Sequence, residues 1–176
     1  MSIQRRYYNE STNDYVERGR SVRLRSRRVC SNDIVWPRRL VIRRDDRLMF
    51  IEHNQNPNGD NIDDCVVRAI SLVLELPYWQ VFDELCDEMD KQGADYINGF
   101  NVFAPYLRDK GYEIREAINK ITVKQFADKC KRCYDADEIR WLLLVNGHMT
   151  ACIGGDIYDT WNCNRYKVQY IIVPCE

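Results

Sequence analysis

Arg140-Trp141-Leu142-Leu143-Leu144-Val145-Asn146-Gly147-His148-Met149-Thr150-Ala151-Cys152-Ile153-Gly154-Gly155-Asp156-Ile157-Tyr158-Asp159-Thr160-Trp161 reads as three strands joined by two tight turns. Apolar and β-branched residues fill Arg140 to Val145, His148 to Ile153 and Asp156 to Trp161, and the breaks Asn146-Gly147 and Gly154-Gly155 are two-residue hairpin signals. A fourth run, Lys167 to Val173, follows Asn162-Cys163-Asn164. Tight turns between consecutive runs predict an antiparallel sheet over the C-terminal part of the chain.

Upstream of residue 138 the period is helical. Val66, Ala69, Ile70, Val73 and Leu74 mark one buried stripe, with Asp63 and Asp64 as N-cap and first-turn signals. Leu76-Pro77 separates it from a second stripe, Tyr78, Phe82, Leu85 and Met89, which Gly93 closes. A third helix is expected from Asn101 to Lys110, with Pro105 tolerated near its first turn, and Tyr112 to Ala117 alternates like a strand. Thr122 followed by Gln125 is a capping-box signature for a fourth helix. Leu40-Val41-Ile42 and Leu48-Met49-Phe50-Ile51 read as a short strand pair, and Asn54 to Asn61, which has no apolar residue, as a loop whose amides face the same site as Cys65. Helices first and sheet second define an α+β domain, with the helix that opens at Cys65 laid against the sheet.

The same patterns put chemistry together. Cys65 lies on the first turn of its helix, where unpaired N–H groups and the helix dipole favour a thiolate. A Gly154-Gly155 loop pairs Ile153 with Asp156, Cys152 with Ile157, Ala151 with Tyr158 and Thr150 with Asp159. His148 and Asp159 then share a face as diagonal neighbours, about 7–8 Å apart, while Asp156 points to the other face. A thiol nucleophile needs a base, and the base a group that orients it; Cys65, His148 and Asp159 supply the three. His53, the other histidine of the chain, has no partner placed by register.

These residues resemble the papain-like cysteine peptidases. The carriers are Asp64-Cys65-Val66-Val67-Arg68-Ala69-Ile70, Gly147-His148 and Tyr158-Asp159-Thr160-Trp161, over roughly residues 54–173, and they look like small phage-encoded members of that superfamily. The resemblance implies a papain-like fold, a Cys65-His148-Asp159 triad and a tryptophan, Trp161, that shields the His148-Asp159 pair. It departs from the family in its oxyanion donor. A Gln a few residues before the nucleophile is usual, whereas Gln55, Asn58 and Asn61 stand ten, seven and four residues upstream, and Asn61 is the expected donor beside the Cys65 N–H. The Cys-Gly-Ser-Cys-Trp signature of papain itself is absent.

Composition divides the chain into an arm, residues 1–38, and a domain, residues 39–176. Residues 1–47 hold thirteen arginines and six acids, net +7; the remainder holds 13 basic and 21 acidic residues, net −8. Arg5, Arg6, Arg18, Arg20, Arg23, Arg25, Arg27 and Arg28, with Tyr7, Tyr8 and Tyr15 among them, suit nucleic-acid phosphates or a partner protein. No run approaches the ~18 apolar residues of a membrane span, and no apolar signal core follows the first arginines, so a cytoplasmic protein without a membrane partner is expected; for a phage-encoded chain that is the host cytoplasm or the virion. The eight cysteines read as reduced thiols, and Cys130-Lys131-Arg132-Cys133 lacks the second close pair that a zinc site needs, so no cofactor is expected. Two functions follow from the sequence: a cysteine hydrolase (peptidase, isopeptidase or amidase) acting on protein or peptide, or a non-enzymatic virion or nucleic-acid-associated protein that keeps the papain fold and uses its arm.

Overall fold

The computed structural model describes residues 50–60, 62–117, 120–132 and 139–175. The arm, the expected strand Leu40-Val41-Ile42, Leu48 and Met49, Asn61 and Cys133 lie outside those residues. In chain order the elements are β1 (Phe50–Glu52), α1 (Cys65–Leu74), α2 (Tyr78–Gln92), α3 (Phe100–Asp109), β2 (Tyr112–Glu116), α4 (Val123–Lys131), β3 (Arg140–Val145), β4 (His148–Ile153), β5 (Asp156–Asp159) and β6 (Tyr170–Pro174). The architecture is α+β.

The strands form a six-stranded sheet of order β1-β5-β4-β3-β6-β2. It is mixed and not purely antiparallel, because β1 runs parallel to β5, with Glu52 beside Asp159. The Gly154-Gly155 hairpin has the register expected of it: Ile153 opposite Asp156, Cys152 opposite Ile157 and Ala151 opposite Tyr158. Asn146 (φ 38°) and Gly147 (φ 76°) make the β3-β4 turn with both residues left-handed.

Leu142, Leu143, Leu144 and Val145 form a continuous apolar run because both faces of the sheet are covered. Leu142, Met149, Ala151 and Ile172 pack with α1, α2 and α3, while Leu143, Val145, Cys152 and Ile171 pack with Phe126, Ala127 and Cys130 of α4. α1 crosses β4 and β3 and is buried along nearly its whole length, Arg68 and Ser71 included.

Several expected boundaries move for local reasons. β5 stops at Asp159, two residues short of Trp161, where the Asp159 carboxylate accepts the Thr160 N–H at 2.8 Å and turns the chain out of the ladder. β6 starts at Tyr170, since Lys167 instead forms an isolated bridge with Thr122. α3 begins one residue early, at Phe100, so Pro105 falls in its second turn, at the loss of one backbone bond. The Thr122 capping box is formed with both of its hydrogen bonds. Asp64 precedes α1 as expected but makes no side-chain cap, because its carboxylate is taken up elsewhere.

Candidate active site

The carboxylate of Asp64 is buried, ion-paired with Arg68 at 3.1 Å, and accepts hydrogen bonds from the Tyr78 hydroxyl at 2.7 Å and the Asn56 amide at 3.0 Å. Burial, the bond to Asp64 and the negative charge of Asp64 together hold the Tyr78 hydroxyl protonated, well above its ordinary range. This cluster ties the loop before Cys65 to the first turns of α1 and α2. The loop is also braced internally: Asn54 accepts the Asn56 N–H, Asn56 accepts the Asn58 N–H, and the Asn54 amide donates to the Asp60 carbonyl, each at 3.0 Å. Asn54 and Asn56 are thus spent on loop and helix anchoring, while Gln55, an amide of the same loop, lines the cleft with Cys65.

Cys65 is the first residue of α1, 6% exposed. Its cleft is lined by Arg68, Ala69 and Leu72 of α1, by Met149, Tyr158 and Asp159 of the sheet, and by His53 and Gln55. His148, first residue of β4, places Nε2 2.6 Å from Asp159 Oδ2. The Cys65 side chain also acts on this imidazole. Burial alone would lower the His148 pKa; the bonds and charges of Asp159 and Cys65 outweigh it and raise the pKa to about 9. Trp161 covers the imidazole, ring centroids 4.8 Å apart, and packs edge-on against Tyr166 at 5.2 Å.

Gln55 is among the upstream amides that the sequence offered, whereas Cys163 was not legible in it. Gln55, ten positions before Cys65, lines the same cleft, and its Oε1 lies 2.7 Å from His53 Nε2, which leaves its amide N–H groups to donate. His53 therefore has a neutral amide as its ring partner where His148 has a carboxylate. Beside Asp159 lies Cys163, fully buried, whose thiol feels both Asp159 and Thr150. Burial, with the Asp159 charge beside it, pushes this thiol up to about 12, so it stands as a neutral donor to the carboxylate.

The six described cysteines are free thiols. Among the described residues no group of three or more His, Cys, Asp or Glu is placed to hold a metal ion, and no helix is long and apolar enough to cross a membrane. No family model matches the chain, nor does any curated protein or solved structure.

Proposed function

We propose that this chain is a cysteine hydrolase of papain-like type. The observation that carries the reading is the group Cys65, His148, Asp159: a thiol at a helix N-terminus, an imidazole whose pKa that thiol helps to raise, and a buried carboxylate 2.6 Å from the imidazole Nε2. Cys65 sulfur, its proton held on His148, attacks the carbonyl carbon of an amide, isopeptide or thioester. The oxyanion forms at the Cys65 backbone N–H, which as the first of α1 has no acceptor within the helix, with the Gln55 amide as second donor. The His148 proton passes to the leaving group, giving an acyl-enzyme, and water deprotonated by His148 then releases the acid and the thiol.

Labelling with iodoacetamide at pH 6 tests this. An ordinary thiol, titrating near about 8.5, is almost wholly protonated there, so only an activated thiolate reacts quickly. Cys65 is expected to be alkylated at least tenfold faster than the seven other cysteines, and His148→Ala to remove that advantage. Uniform slow labelling in the folded protein overturns the reading.

A further inference from the structure

His53 follows β1 directly, Gln55 stands in the loop that leads on to Cys65, and both line the cleft at that thiol. The cleft is small. Its open space of about 10 Å³ holds a single water-sized group. Beside an attacking sulfur, the group of that size is the carbonyl oxygen on which negative charge builds.

A glutamine is an ambiguous donor to such an oxygen. Its side chain turns about several bonds, and reversing the amide exchanges N–H groups for an oxygen in nearly the same volume. With its oxygen toward the cleft, Gln55 would repel the charge that its N–H groups stabilise. Gln55 is half-buried in a loop outside the sheet, so no strand ladder settles the choice. His53 can settle it. Its Nε2 lies 2.7 Å from Gln55 Oε1, and a ring that donates its Nε2 proton to that oxygen leaves the amide N–H groups for the cleft.

The ring is itself held in place. The His53 N–H donates to the Asp159 carbonyl at 2.9 Å, continuing the parallel pairing of β1 with β5, and the imidazole stands edge-on to Tyr158 with centroids 6.0 Å apart. Asp159 thus fixes both histidines, His148 through its carboxylate and His53 through its backbone carbonyl. The ring partners separate their tasks: a carboxylate supports an imidazole that gains a proton, whereas a neutral amide is a group to be oriented.

We propose that His53 is the positioning residue for the oxyanion donor: by donating from Nε2 to Gln55 Oε1, it fixes the amide with its N–H groups toward the cleft at Cys65. This rests on the hydrolase reading and adds to it a residue that acts only through Gln55.

Two reactions of Cys65 in the full chain test it. Toward p-nitrophenyl acetate the sulfur adds to the carbonyl carbon, the C–O bond breaks, p-nitrophenolate leaves as the anion and an acetyl thioester remains, by way of an oxyanion. Toward iodoacetamide the sulfur displaces iodide at a saturated carbon, and no oxyanion forms. His53→Phe keeps a ring against Tyr158 but has no donor. Gln55→Ala and His53→Phe should each slow the burst of p-nitrophenolate at least about tenfold, while alkylation of Cys65 stays within about twofold of wild type. His53→Gln, whose amide N–H reaches the Nε2 position, should restore the burst to within about threefold of wild type. The double variant should lose no more than Gln55→Ala alone, because the two residues act as one unit. A burst unchanged in Gln55→Ala or His53→Phe overturns the proposal. So do equal losses in both reactions, a His53→Gln variant as slow as His53→Phe, or losses that add in the double variant. His53→Ala runs the same cycle if the phenylalanine variant does not fold. Failure of the hydrolase reading looks different: wild-type Cys65 is then slow toward both reagents.

Discussion

Asp159 carries the most demanding single role in the site. One carboxylate oxygen accepts from His148, the other accepts the Thr160 N–H, and the neutral Cys163 thiol stands beside the same group. An asparagine offers one acceptor only, so if its oxygen faces His148 its amide nitrogen meets the Thr160 N–H. Asp159→Asn is therefore expected to lower kcat/KM at least tenfold, close to Asp159→Ala, whereas Asp156→Ala, three residues away and paired with Lys131 at 2.6 Å, should change it by less than about threefold. Steady-state kinetics on one peptide substrate compares them. Cys163→Ser keeps a donor and should match wild type more closely than Cys163→Ala. His148 makes a pH prediction. Its pKa rises from the ordinary 6.5 to about 9, so under the proposed hydrolase mechanism the proton meant for the leaving group is lost as pH passes about 9, and kcat/KM should fall there. Stability follows the same group: a raised folded-state pKa contributes in full below pH 6.5, and that contribution fades as pH rises through about 9. Urea titrations at pH 6 and pH 9.5 should differ by up to roughly 3 kcal/mol in the wild type and by less in Asp159→Ala.

The elements show how far sequence periodicity reaches. Strand register was legible because Gly154-Gly155 allows a single two-residue turn, and that turn puts Asp159 within reach of His148. Gly155 is constrained twice, by φ 83° and by α4, since a Cβ there would lie 2.9 Å from the Lys131 backbone nitrogen and 3.0 Å from the Ala127 carbonyl oxygen. Gly155→Ala should accordingly destabilise the fold by about 2 kcal/mol or more, read as a lower Tm, with any shift of the β4-β5 hairpin appearing as a further loss of kcat. The stripes of α1 and α2 were equally plain, as was the Thr122 cap. Contacts between residues distant in sequence were not. Nothing local announces that β1 adds parallel to β5 or that Cys163 lies beside Asp159. The Asp64 carboxylate looked like a helix cap because acids precede helices so often; burial against Arg68 and Tyr78 gave it another task.

At the scale of the whole chain, charge is the property that the fold does not consume. Residues 1–47 carry thirteen arginines against six acids, and the remainder 21 acids against 13 bases. A body of net −8 repels a polyanion, so any affinity for DNA or RNA has to come from the arm, and it comes as phosphate neutralisation with release of counterions. The full chain is thus expected to bind a DNA duplex weakly and without sequence preference, with an affinity falling about 10³-fold or more between 50 and 200 mM salt if six or more arginines reach phosphates. Replacing Arg5, Arg6, Arg18, Arg20, Arg23, Arg25, Arg27 and Arg28 by glutamine should abolish that binding while Cys65 still alkylates at pH 6. Fluorescence anisotropy across a salt series reads the slope directly. Binding that ignores salt, or survives the eight substitutions, would assign the DNA contact to the body in spite of its charge. No binding at low salt would leave the arm to a protein partner, whose acidic surface could answer the same arginines.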